Sequence, residues 1–106
     1  MTAPKLPTDF LKVLASLSNP KDIARVLDDI LTPAEVESLG ERWAIVKRLS
    51  QGYTQREVRD ALGVSVTTVS RGSRQLRYGH QGFALAFDQL NELGLTDPRT
   101  AKRGKK

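Results

Sequence analysis

The chain has 106 residues, with 17 Lys and Arg against 12 Asp and Glu, a formal charge of +5, and no cysteine. The missing cysteines exclude a disulfide framework and a thiolate metal site, and no stretch approaches the roughly 20 apolar residues that span a bilayer. The length predicts one domain with a thin core, which favours oligomerisation, and the basic balance suits a polyanion, because each phosphate met by Lys or Arg releases counterions.

In chain order, nearly everything reads as helix. Met1 to Asp9 shows no basic start followed by a long apolar run, so a cytoplasmic protein is expected. A first helix is predicted from about Asp9 to Ser18, with Phe10, Leu11, Val13, Leu14 and Leu17 as its apolar stripe. Asn19-Pro20 breaks it. A second helix, about Lys21 to Ile30, carries Ile23, Val26, Leu27 and Ile30. Thr32-Pro33-Ala34-Glu35 is a capping box with Pro at the first helical position. The third helix continues through Leu39, Trp43, Val46 and Leu49 to Gly52, a C-cap residue.

A second capping box, Thr54-Gln55-Arg56-Glu57, opens a short fourth helix ending near Leu62. Gly63 supplies a turn, and Ser65 caps a fifth helix running towards Arg77. Tyr78-Gly79 interrupts it before a sixth, about Gln81 to Leu93, with Phe83, Phe87 and Leu90 on one side. Residues 1–95 are thus expected to form one helical domain. From Thr96 the chain is polar and basic, and 96–106 is expected to be a disordered tail.

The functional signal lies between Gln55 and Arg77. A short helix, a glycine turn and a second helix form a helix-turn-helix when an apolar set locks the helices together; Val58, Leu62, Val64, Val69 and Leu76 provide it. The second helix must then present short side chains to a major groove from its N-terminal end. That end reads Ser65, Val66, Thr67, Thr68, Ser70, hydroxyls and methyls suited to base edges and thymine methyls. Arg56, Arg59, Arg71, Arg74 and Arg77 surround it, against Glu57 and Asp60. The plain alternative is a helical hairpin with a solvated charged face.

Leu31-Thr32-Pro33-Ala34-Glu35, Leu39-Gly40-Glu41-Arg42, Gln55-Arg56-Glu57 and Thr68-Val69-Ser70-Arg71-Gly72-Ser73 resemble the Trp operon repressor family from about Leu31 to Leu76, with one residue fewer near Tyr53. That family also has a long basic residue where Arg59 sits. The resemblance implies an all-α, six-helix, intertwined homodimer with two helix-turn-helix reading heads. It implies an L-tryptophan corepressor, double-stranded operator DNA as partner, and neither a metal nor a membrane.

Carried over by position, Arg42 and Arg71 match the arginines that flank the indole ring, a job guanidinium planes do well, and Arg71 matches the carboxylate partner. Thr32, Thr68, Gly72 and Gln75 match further pocket positions. For Arg42, a surface arginine paired with a nearby acid is the competing reading. On the DNA side, Arg56 and Arg59 match base-edge or backbone positions, and Val66, Thr67 and Ser70 match groove-facing ones. Gln55, Thr68, Ser73 and Arg74 match phosphate contacts, which position a protein without reading sequence.

Two residues depart from the tryptophan-binding pattern. Gln75 stands where those members have a small serine, and Asp29 where they have a leucine whose backbone lines the pocket. Leu76-Arg77-Tyr78-Gly79 followed by Ala84 to Leu90 is similar to a Trp-repressor-related branch whose ligand is less defined. The readings left are a tryptophan-dependent repressor, a related DNA-binding regulator with another effector or none, and a helical module binding RNA or protein. Trp43 reads as core or dimer interface, and Phe83 and Phe87 as dimer packing. His80 has no second His or any Cys for a metal, and adjacent Asp28 and Asp29 point in different directions on a helix, so no enzyme is expected.

Overall fold

The computed structural model describes residues 4–95. Six helices occur among them: α1 (Thr8–Ser16), α2 (Pro20–Ile30), α3 (Pro33–Ser50), α4 (Gln55–Leu62), α5 (Val66–Tyr78) and α6 (Gly82–Glu92). The expected six-helix order is present, with ends moved by one or two residues. The basic tail from Thr96 lies outside the described residues. The chain divides into two compact units, one up to Ser38 and one from Leu39.

In the first unit, α1 stops at Ser16 because Leu17 is already extended, with φ −83° and ψ 123°. Asn19 is extended too, as a residue before proline must be. Its carboxamide oxygen accepts the Lys21 amide at 2.9 Å. The helix then begins one residue earlier than expected, at Pro20, whose missing N–H costs nothing in the first turn. Thr32 and Glu35 form the expected capping box: the Glu35 amide donates to Thr32 Oγ1 at 3.2 Å, and the Thr32 amide to Glu35 Oε1 at 2.8 Å. The Thr32 backbone amide, and after it the Thr32 hydroxyl, favours the charged carboxylate and holds Glu35 below its usual pKa. Neither α1 nor α2 buries a residue fully. Phe10, Leu14, Leu17, Ile23, Val26 and Leu27 are half-buried.

The second unit holds the core. Ile45, Val58 and Val69 cluster at 0–1% exposure, with Leu49, Tyr53, Leu62 and Val64 packed against them. Val46, next to Ile45 on α3, is also buried. The expected stripe on α3 is corrected in one respect: Leu39 is exposed, and Ile45, outside the stripe, is the residue that meets α4 and α5. Trp43 packs on Phe87 of the same chain, with ring centroids 5.2 Å apart, and Phe87 stacks on Phe83 at 5.8 Å. These aromatics therefore join α3 to α6 within one chain.

A candidate DNA-reading head

The head is built from two short capped helices around one glycine. Thr54 Oγ1 accepts the Glu57 amide at 3.1 Å and Glu57 Oε1 accepts the Thr54 amide at 2.9 Å, which fixes where α4 begins. Gly63 ends it at φ 67° and ψ 30°, left-handed geometry that other residues adopt at a cost. Three residues on, α5 begins under a second cap: Ser65 Oγ accepts the Thr68 amide at 3.1 Å. Val58 on α4 and Val69 on α5, both fully buried, then close the angle between the helices over Ile45.

Close approach of α5 to α3 depends on Gly72. A Cβ added there would sit 2.8 Å from Cγ2 of Ile45 and 3.5 Å from Cγ2 of Val46. Ile45 is buried and β-branched, so its methyl has little freedom to move aside. Gly72, matched above to a ligand-pocket position, thus has a packing role of its own. Two candidate arginines lie close to this crossing along the chain: Arg42 three residues before Ile45 on α3, and Arg71 next to Gly72 on α5, both exposed.

The candidate DNA residues fall into distinct states. Arg56, Val66, Thr67 and Arg74 are exposed; Ser70 and Ser73 are half-buried. Ser70 Oγ donates to Gln55 Oε1 at 3.2 Å, linking α5 to the first residue of α4. Two candidates 15 residues apart are thereby brought together. Thr68 is half-buried, and its hydroxyl lies 2.8 Å from Ser65 Oγ, inside the cap. Arg59 is held by its neighbour: Nε and Nη2 both lie 2.9 Å from Asp60 Oδ1. Sequence reasoning named Arg59 and missed this partner, since consecutive helical residues ordinarily point apart.

Among the ligand candidates, Thr32 belongs to the first unit, and Arg42, Thr68, Arg71, Gly72 and Gln75 to the second. Gln75 is exposed and lines a cleft of about 280 Å³ with Leu76, Gly79, His80, Gln81, Gly82 and Phe83, at the corner between α5 and α6. Leu76, expected to lock the head, is half-buried beside this cleft. No described helix is long and apolar enough to cross a membrane. No group of three His, Cys, Asp or Glu among the described residues could hold a metal ion.

Comparison with known proteins gives the geometry a family. The Trp repressor protein family matches residues 7–91. A Bacillus subtilis protein of uncharacterized function, YerC, is 32% identical over 79 residues, covering 74% of this chain and 76% of its own. A Trp operon repressor homolog of Chlamydia caviae is 34% identical over 84 residues, 78% of this chain and 83% of that one. A crystal structure from Staphylococcus aureus, described provisionally as a Trp repressor, aligns with a TM-score of 0.71 at 29% identity, over 78% of this chain and 83% of that one. The chain belongs to the Trp repressor family and is a helix-turn-helix DNA-binding regulator of transcription, of the repressor type and not an enzyme.

Proposed function

We propose that the chain represses transcription in the cytoplasm as a homodimer that places two heads in successive major grooves of an operator, with L-tryptophan as corepressor. The observation that carries the DNA half is the closed head. Val58, Val69 and Ile45 fix α5 while Val66 and Thr67 stay exposed at its start. Arg56 on α4 and Arg71, Arg74 and Arg77 along α5 also stay exposed, where they can meet phosphate or guanine.

The dimer is supported by what one chain leaves uncovered. Leu11, Val13, Ile30, Leu39, Leu85 and Leu93 are 44–70% exposed, an apolar load a second copy would bury. The ligand half rests on Arg42 and Arg71 flanking the Ile45–Gly72 crossing. A planar ring held there would set the tilt of α5 and favour the docking-competent angle. It can shift that equilibrium only by binding one state better than the other, so operator DNA must tighten ligand binding in turn.

A second reading keeps the DNA and changes the effector. Gln75 favours it, as a long polar side chain on the α5–α6 cleft where the family's tryptophan binders carry a serine.

The test is selection of duplexes from a randomised pool, followed by anisotropy titration with and without L-tryptophan. Tightening by L-tryptophan is expected; no change at saturation removes the corepressor half. The triple variant Arg56→Ala, Thr67→Ala, Ser70→Ala should lose selected-duplex affinity by more than tenfold, because one good base contact alone is worth about 1–3 kcal/mol. Unchanged affinity for every duplex would remove the DNA half.

A further inference from the structure

Asp60 is an acid on the basic face of the reading head, and its carboxylate grips Arg59. Helical spacing puts Arg59 on the side of α4 that carries Gln55, the residue bonded to α5. It follows Gln55 by four residues and Arg56 by three, spacings that share one helical face, and Gln55 is the residue bonded to Ser70. A side chain reaching from this face towards DNA therefore emerges beside α5.

The form of the pair carries the argument. Asp60 Oδ1 takes the side-on edge of the guanidinium, with Nε and Nη2 each at 2.9 Å. Two of its five N–H donors are so engaged. The three that remain include the end-on fork of Nη1 and Nη2, the geometry that pairs bidentately with guanine O6 and N7. A free arginine has many rotamers to lose on binding; one clamped at Nε has fewer. The carboxylate also cancels most of the charge with which Arg59 would attract any phosphate. Its own side chain is 63% exposed, so it serves no core.

We propose that Asp60 is a positioning residue that holds Arg59 with its end-on fork towards a base edge, lowering general attraction to DNA and raising discrimination between sequences. The proposal deepens the DNA-reading function above and rests on it.

The test compares wild type, Asp60→Asn, Arg59→Ala and the double variant. Each is titrated by anisotropy against the duplex selected by wild type and a scrambled duplex, over a range of salt. Asp60→Asn should bind the scrambled duplex more tightly and steepen the salt dependence by about one unit per head, as for one more phosphate contact. It should also lower the ratio of selected to scrambled affinity about tenfold, the size of one weakened base contact. In the Arg59→Ala background the same substitution should leave that ratio unchanged, and Asp60→Glu, which can re-form the pair, should keep most of it. Simple loss of a negative charge would tighten both duplexes equally and leave the ratio alone. That result, or an unchanged salt slope, overturns the proposal while leaving DNA reading intact. Failure of wild type to bind any duplex removes both.

Discussion

The helix-turn-helix and the N-terminal helices solve burial differently. Between Leu39 and Tyr78 four apolar residues, Ile45, Val46, Val58 and Val69, are sealed from solvent by elements of the same chain, and three of them, Ile45, Val58 and Val69, form one cluster. In α1 and α2 nothing is sealed, although each carries an apolar stripe along one side. A core of three residues is enough to set one angle between two short helices. The N-terminal stripes have the pattern of a buried face without its burial, and in the proposed dimer the partner chain supplies the missing side.

This contrast can be broken at its strong end first. Val69→Ala removes two methyl groups from a site with no exposure and should cost about 2 kcal/mol of unfolding free energy, measured by denaturant titration. A cost near zero would mean the head is not held by its own core. Ile30→Ser sharpens the other end. Ile30 is 60% exposed in the single chain, so the change should be nearly silent if nothing covers it. If a second copy does, it should lower the unfolding free energy by about 1–2 kcal/mol, with the loss growing on dilution, because assembly stabilises by mass action.

The smallest effect is expected at the α3 cap. Glu35 is held below its usual pKa by Thr32. Its contribution is therefore complete above the ordinary carboxylate range and is lost as pH falls through the lowered folded-state value. The protection of the Thr32 amide relative to its intrinsic exchange rate should fall in acid, and Glu35→Gln should remove that pH dependence. Persistence of the dependence in the Gln variant would assign it elsewhere.

How far the sequence foretold this follows the range of each interaction. The starts of α3, α4 and α5 were legible because Thr32 with Glu35, Thr54 with Glu57, and Ser65 with Thr68 are bonds across three residues. The turn was legible because Gly63 needs only its own backbone angles. Ile45 was not, since its burial is decided by Gly72, 27 positions away on α5. The Ser70–Gln55 bond spans 15 residues and escaped for the same reason. Arg59 and Asp60 are adjacent, yet their pairing depends on how a long side chain bends around the helix, which spacing does not encode. The candidate ligand residues were found by resemblance, and the single chain provides the helix crossing rather than the ligand.

The bond between Ser70 and Gln55 has a consequence for how the head changes hands between water and DNA. Two groups expected to touch a duplex already satisfy each other across the seam of the motif. A duplex that engages either one substitutes itself into an existing bond, so what it gains is only the difference between the new partner and the old. Matched and mismatched sequences are then ranked by the quality of an exchange, against a resting surface that has little appetite for an arbitrary base.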